Sequence, residues 1–332
     1  MPRVSVLLNC YNQSTYVGEA VESVLKQTFK DFELIITDNG STDDTAKILN
    51  QYVDDPRVHL IIREKNGNVS RSFNEMVKMA KGEFISLLLS DDYYLPEKLE
   101  RQVAIFDGLA KDCDIVYGPT LRYFEDTGKS VLIPVLDIDQ NNGLNDLLIN
   151  YEKGPIQFIP PLIRRECYIH YPFLETVFFE GEGIFYRMAI RYKFHYDPNP
   201  TCVMRDTGQN WGKAFKKNIE SHWHTLDALE SDSAFNPKVH GAPLKTYKSS
   251  ILRNVAWCNL RLNGSVNWSY SKYFQALKLA PRQLFHKRTL LGFMIALLPS
   301  KLRTRINRFV DKKTGLLENS GVMESYEGEI PG

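Results

Sequence analysis

The first 120 residues switch repeatedly between two hydrophobic periods, and this alternation restricts the fold more than any other feature. Val4 to Leu8 is an apolar run of strand length broken only by Ser5, after which Val17, Ala20, Val21, Val24 and Leu25 recur at helical spacing. The pattern repeats. Phe32 to Thr37, Val58 to Ile62, Glu83 to Leu89 and Asp114 to Tyr117 read as further strands. Between them, Val69, Phe73, Met76, Val77 and Ala80 make one helical stripe, and Leu99, Val103 and Phe106 another, with Pro96 at a first helical position. Unbroken apolar runs mark strands covered on both faces, and the intervening helices supply the cover. The expected class is therefore α/β, a mainly parallel sheet flanked by helices. Ligands of such sheets bind outside the carboxyl ends of the strands, where Asp38 and Asp91-Asp92 both fall.

Local signals refine the connections. Ser14 or Thr15 is the expected N-cap of the first helix, and Asp38-Asn39-Gly40 reads as a turn. Ser41-Thr42-Asp43-Asp44 resembles a capping box that opens a helix through Leu49. Residues 120 to 205 are less regular, with aromatic-rich strands and glycine turns. Helices are expected over 213–231 and 245–262, separated by the polar Pro/Gly segment Ser231 to Pro243, with another from near Ser271.

Charge and cysteine usage exclude several classes. The 41 basic and 40 acidic residues nearly cancel, so no global field points to nucleic acid. Cations nevertheless dominate from about residue 245 to 313. The five cysteines are scattered and odd in number, which argues against a disulfide framework or a zinc site. The short apolar run after Pro2 and Arg3 does not read as a signal peptide, and no run reaches the ~18 residues of a membrane span. A cytoplasmic protein is expected. The chain has no G-x-G-x-x-G after its first strand, no P-loop, no H-E-x-x-H and no G-x-S-x-G, which disfavours the corresponding oxidoreductases, kinases, proteases and hydrolases.

What remains is acidic. In SLLLSDDYYLP two adjacent carboxylates end an apolar strand, and such a pair supplies hard oxygen ligands for Mg²⁺ or Mn²⁺, which bridge to phosphate oxygens. The same pair in isolation is more often a solvated turn. The companions decide. VSVLLNCYNQSTYVGEAVESVLKQTFKDFELIITDNGSTDDT resembles the opening of the family 2 glycosyltransferases, which have the GT-A fold. NGNVSRSFNEMVKMAKGEFISLLLSDDYYLPEKL resembles that family's next block, ending in its D-x-D-type motif. The likeness runs from residue 4 to about 100 and thins beyond 150.

The resemblance implies a GT-A-like catalytic domain over 1–212, with a nucleotide-sugar-binding half to 118 and an acceptor half from 119. A helical C-terminal region over 213–312 and a disordered tail over 313–332 would follow. It implies that Asn9 and Tyr11 lie in a loop closing over the nucleotide, and that Asp38 and Asn39 read the base. Arg71 would sit near the nucleotide, although a solvated helix face explains it as well. Asp91 would face the ribose or the waters of the cation, and Asp92 would ligate Mg²⁺ or Mn²⁺. Leu89 and Thr207 stand where other members can carry further metal-binding groups. FFEGEGIFYRMAIRY resembles the segment holding the general base, with Glu182 in that position, Glu180 as competitor and helix capping as the chemically idle alternative.

The activity implied is an inverting, metal-assisted transfer of a sugar from a nucleotide-diphosphate-sugar donor to a glycan or lipid-linked glycan acceptor in cell-surface polysaccharide synthesis. Two rivals share some of these features: an inactive nucleotide-sugar-binding protein in a membrane assembly, and a nucleotidyltransferase. The second would open with a glycine-rich basic loop, which the turn after Leu8 lacks. His222-Trp223-His224 is not read as a metal pair, because residues two apart on a helix diverge. TLLGFMIALLPSKLRTRINRFVDKK joins ten apolar residues to a run of cations. It fits a helix lying on an anionic membrane, and equally one packed on the catalytic domain.

Overall fold

The computed structural model describes residues 1–109, 113–207 and 215–314. The expected βα alternation opens the chain: β1 (Val4–Cys10), α1 (Val17–Leu25), β2 (Phe32–Asp38), α2 (Thr45–Leu49), β3 (Val58–Ile62), α3 (Val69–Met79) and β4 (Phe84–Leu89). Next come β5 (Tyr93–Tyr94), α4 (Lys98–Leu109), β6 (Ile115–Tyr117), β7 (Thr120–Phe124), β8 (Lys129–Ile133), α5 (Gly143–Ile149) and β9 (Leu162–Arg164). The α/β part closes with α6 (Arg165–His170), α7 (Gly183–Met188), β10 (Phe194–Tyr196) and β11 (Cys202–Asp206). Five helices follow: α8 (Phe215–Ser231), α9 (Pro237–Arg261), α10 (Val266–Leu279), α11 (Lys287–Ala296) and α12 (Ser300–Thr314).

Two sheets result. The larger has the order β10-β6-β9-β4-β1-β2-β3, and the smaller β5-β11-β7-β8. Every residue of β1 and β2 is buried, as a central parallel pair requires. The larger sheet is mixed, because β9 runs antiparallel to both β4 and β6. β9 is only three residues long, too short for any period to announce it. The sharp turn after β4 carries the chain from the larger sheet into β5 of the smaller one.

Several local expectations are corrected. Tyr16, not Ser14 or Thr15, occupies the N-cap of α1 and makes no side-chain cap bond. The helix expected from Ser41 starts at Thr45, because Asp43 takes the backbone N–H groups of Thr45 and Ser14, both at 3.0 Å. Its own burial opposes ionisation, yet these bonds and the Thr45 hydroxyl hold its carboxyl down at about 2. α9 starts at Pro237, eight residues before the expected 245, because Asn236 caps it and Pro237 suits a first position. Pro243 and Gly241 are carried inside it. Likewise α10 starts at Val266 behind a Ser265 cap, ahead of Ser271. The expected disordered tail lies, from 315 onward, outside the described residues.

The chain divides into two units, Met1–Leu147 with Lys153–Thr207, and Leu148–Glu152 with Gly208–Gly332. In the first, Phe73 of α3 packs on Phe158, Phe173 and Phe179, which seats the 173–182 segment against the start of α3. In the second, Ala256, Leu260, Tyr273 and Ala296 form a core between α9, α10 and α11. There, His222 has both ring nitrogens taken by the hydroxyls of Tyr247 and Tyr151, and burial pushes its pKa down to about 4.

Gly40 is a point where the backbone leaves no alternative. Its φ is +81°, and a Cβ there would lie 2.5 Å from the Lys65 carbonyl carbon and 2.7 Å from the Asn66 nitrogen. Gly40→Ala is expected to destabilise the protein by roughly 2–5 kcal/mol, combining left-handed strain with a backbone clash. Urea unfolding measures it.

Candidate active site

The parallel register aligns the ends of three strands. Asn9 lies opposite Thr37 on one side and Leu89 on the other, and Cys10 lies opposite Asp38. The loops beyond these ends hold Tyr11, Asn39 and the Asp91-Asp92 turn. Asp38 is fully buried, and its Oδ1 accepts from the backbone and hydroxyl of Ser41 at 3.1 and 2.5 Å. Its Oδ2 is buried with no partner, and so is Nδ2 of Asn9. An acceptor and a donor thus lie unpaired on adjacent strand ends, a costly arrangement that a ligand can relieve.

Asn39 behaves differently. Its Nδ2 donates to Asn66 Oδ1 at 3.1 Å and to the Gly67 carbonyl at 2.9 Å. The amide hydrogens therefore fasten the 66–67 loop, and of the expected base-reading pair Asp38 alone retains an unpaired atom. Tyr11 is 39% exposed beside Asn12, whose φ of 51° bends the loop. Asn12 Oδ1 accepts from the Thr42 N–H at 2.8 Å, and the Asn12 N–H donates to Ser41 Oγ at 2.8 Å. The first two loops are thereby tied into one ledge.

Asp92 is 4% exposed, in a turn closed by its N–H on the Leu89 carbonyl at 3.1 Å. Its Oδ1 accepts the Arg205 backbone N–H at 2.8 Å. Burial first, and the Asp91 charge second, push the Asp92 carboxyl well above the usual range. Burial likewise raises Asp91. Two adjacent acids crowded in this way favour a cation. Among the described residues no three His, Cys, Asp or Glu side chains converge as a ready metal cage. The donor set fits a hard divalent ion that takes its remaining ligands from phosphate and water.

Arg205, near the end of β11, holds this corner together and was not singled out by the sequence reading. Its Nε donates to the Asp91 carbonyl at 3.1 Å, Nη1 to Glu125 at 3.0 Å, and Nη2 to Glu19. The guanidinium also lies over the Tyr16, Tyr93 and Tyr123 rings. Its signal in the sequence was its place two residues before Thr207, where other members can carry a further metal-binding group. Thr207 follows β11, and 208–214 lie outside the described residues.

The two glutamates of the EGE segment have different surroundings. Glu180 is 3% exposed, and its oxygens accept from Arg187 Nη1 at 3.0 and 3.1 Å and from the Leu174 N–H at 2.8 Å. That is an internal strut. Gly181, with φ of 58°, reverses the chain, and Glu182 then carries an exposed side chain. Glu182 occupies the N-cap of α7 yet makes no side-chain cap bond. Arg71, in the first turn of α3, donates through Nε to Glu175 at 2.9 Å. The segment is fastened to α3 by Val69 N–H on the Phe178 carbonyl at 3.0 Å and Glu180 N–H on Ser70 Oγ at 3.2 Å. Ser72 Oγ, one residue beyond Arg71, reaches Asn39 Oδ1 at 3.4 Å, so α3 links the base-side loop to the EGE segment.

A GT-A-like α/β fold with an acidic turn at its strand ends suits enzymes that transfer sugars or nucleotides, and sequence similarity decides between them. The family model for Glycosyl transferase family 2 matches residues 5–164. Glycosyltransferase GlyG of Streptococcus pneumoniae is 31% identical over 275 residues, 77% of this chain and 86% of that protein. The chain belongs to glycosyltransferase family 2 and is a glycosyltransferase. In fold it is similar to S. aureus TarS 1–349 in complex with UDP, with a TM-score of 0.58, 17% identity and coverage of 95% and 92% of the two chains. It is also similar to the mannosyltransferase PcManGT from Pyrobaculum calidifontis in complex with GDP-Man and Mn²⁺, with a TM-score of 0.56, 16% identity and coverage of 96% and 88%.

Proposed function

We propose that the chain moves a sugar, with inversion, from a nucleotide-diphosphate-sugar donor to a hydroxyl of a glycan or lipid-linked glycan acceptor in cell-surface polysaccharide synthesis. The observation that carries the donor assignment is the pair of unpaired buried atoms, Asp38 Oδ2 and Asn9 Nδ2, on strand ends beside Asp91-Asp92. A carboxylate acceptor suits a base that presents a ring N–H on its pairing edge, as uracil (N3–H) and guanine (N1–H) do, whereas cytosine offers only its exocyclic amino group there. Full burial of Asp38 means that neighbouring side chains must shift for the base to reach it. The nucleotides named with TarS and PcManGT, UDP and GDP-Man, carry such bases.

Asp92, assisted by Asp91, would hold Mg²⁺ or Mn²⁺. When bound, the ion offsets the negative charge that grows on the departing diphosphate. Arg205 keeps the turn in place, fixing the Asp91 carbonyl by its guanidinium and Asp92 by its backbone N–H. On the acceptor side, Glu182 takes the hydroxyl proton as the oxygen attacks the anomeric carbon opposite the leaving group. The bond to the diphosphate breaks in the same displacement, and no covalent enzyme intermediate forms. Glu180 is set aside as the base because Arg187 and Leu174 engage its oxygens.

A thermal-shift screen of UDP-, GDP-, CDP- and ADP-sugars with Mn²⁺ tests the donor assignment. Binding at about 100 times Kd adds about 2.7 kcal/mol of stability by mass action. The screen should single out a UDP- or GDP-sugar, and Asp38→Ala should cut its shift by about half or more. A preference for CDP- or ADP-sugars would overturn the base assignment.

A further inference from the structure

The last two helices are turned inside out. A helix on a water-facing surface normally buries its large apolar side chains and exposes its polar ones. On α11 the buried positions are Thr289, Gly292 and Ala296. Leu290, Leu291, Met294 and Leu297 are instead 47%, 46%, 63% and 78% exposed. The inward side has no room for them, since a Cβ on Gly292 would lie 2.0 Å from the Tyr273 hydroxyl. Positions 290, 294 and 297 follow helical spacing, so they form one outward stripe with 291 at its edge. α12 repeats the inversion independently. Its Arg303 and Asn307 are buried, and Asn307 Nδ2 donates to the Leu260 carbonyl at 3.1 Å, while Leu302 is exposed. Phe285, just before α11, is 80% exposed.

The exposed charge on α11 and on α12 up to Arg308 is positive, while Glu152 pairs with Arg288 and His286 at the start of α11. From Lys245 to Val310 the chain holds thirteen Lys and Arg and no Asp or Glu. Lys287, at the start of α11, and Lys301, Arg305 and Arg308 of α12 are exposed. We infer that the α11–α12 face is a membrane-contact surface, which inserts the Leu290–Leu297 stripe among the lipids of an anionic bilayer and sets its flanking cations on the headgroups. An apolar stripe flanked by cations is the arrangement of an interfacial helix. No helix among the described residues is long and apolar enough to cross a membrane. A second copy is the poorer occupant, because pairing two such faces opposes the exposed cations of one to those of the other. The inference stands on the helical unit alone and is independent of the donor chemistry proposed above.

Flotation of the full chain with vesicles tests it. Binding is expected to vesicles of phosphatidylcholine mixed with phosphatidylglycerol, to fall with added salt, and to be weak on phosphatidylcholine alone. Met294→Asp/Leu297→Asp should lower the affinity by about ten-fold or more, and Lys301→Glu/Arg305→Glu should lower it on the anionic vesicles only. Both variants change exposed side chains and should keep the wild-type Tm. Failure of the wild type to float would overturn the inference, as would a Met294→Asp/Leu297→Asp variant that floats equally well. If the wild type sediments as a dimer, does not float, and the same variant is monomeric, the face joins copies of the chain and the inference falls.

Discussion

Replacing Asp92 by Asn is expected to reduce cation-dependent transfer by about 10³-fold in kcat/KM while leaving Tm unchanged or slightly higher. The loss follows from the role assigned to the carboxylate, since stabilising charge on a leaving group supplies several kcal/mol of barrier reduction. The unchanged Tm follows from the structure of the turn. Asp92 is 4% exposed beside Asp91, and ionised it is a buried charge next to a like charge. An amide is neutral, nearly isosteric, and keeps the acceptor that Arg205 N–H meets at 2.8 Å. Function and stability therefore pull in opposite directions at this residue, as they do where a site is kept strained for its ligand. Steady-state kinetics and a melting curve on the same preparation check both halves. A fall of several degrees with activity intact would mean that Asp92 is a structural turn residue.

The second large effect separates two glutamates that lie two positions apart. Glu182→Gln should lower kcat by roughly 10²–10⁴-fold, with donor affinity and Tm near wild type, because a general base acts only as the acceptor proton moves. Only the ionised carboxyl can take a proton. The rate should therefore rise with pH as the carboxyl ionises, and Glu182→Gln should lose that limb. Glu180→Gln should do the reverse. It leaves the buried Arg187 guanidinium without its counter-charge, and losing one partner of a buried pair costs about 3–5 kcal/mol. Equal pH profiles for wild type and Glu182→Gln would remove Glu182 from the chemistry.

The sequence displayed the nucleotide-side half of this molecule because its strands are buried on both faces. β1, β2 and β4 are largely apolar runs of strand length, interrupted by Ser5, Glu33 and Ser86, and α1 and α3 each carry one stripe, so the period names the element. The smaller sheet lacks that advantage. β8 is mostly exposed and β5 has two residues, so neither has a buried face long enough to leave a period. At α9, Asn236-Pro237 is a start signal, but Gly241 and Pro243 read as breakers and hid it. The site shows the same division. Asp38, Asp91 and Asp92 were legible as acids at strand ends, whereas Arg205 acts across three elements distant in sequence. The separation of Glu180 from Glu182 depends on the left-handed turn at Gly181, and three letters of sequence do not reveal which glutamate is turned inward. On α11 the period was present, but which face it presents depends on the space left beside Tyr273.

The most direct test of the account is calorimetric titration of UDP and GDP into the wild type, Asp38→Ala and Asp92→Asn, with and without Mn²⁺. The account predicts that one nucleotide binds the wild type and binds more tightly with Mn²⁺. Asp38→Ala should weaken that binding about ten-fold or more, as expected for losing a hydrogen bond to a charged group, and Asp92→Asn should erase the Mn²⁺ enhancement alone. Binding that is unchanged by either substitution, or an enhancement that survives Asp92→Asn, would contradict it.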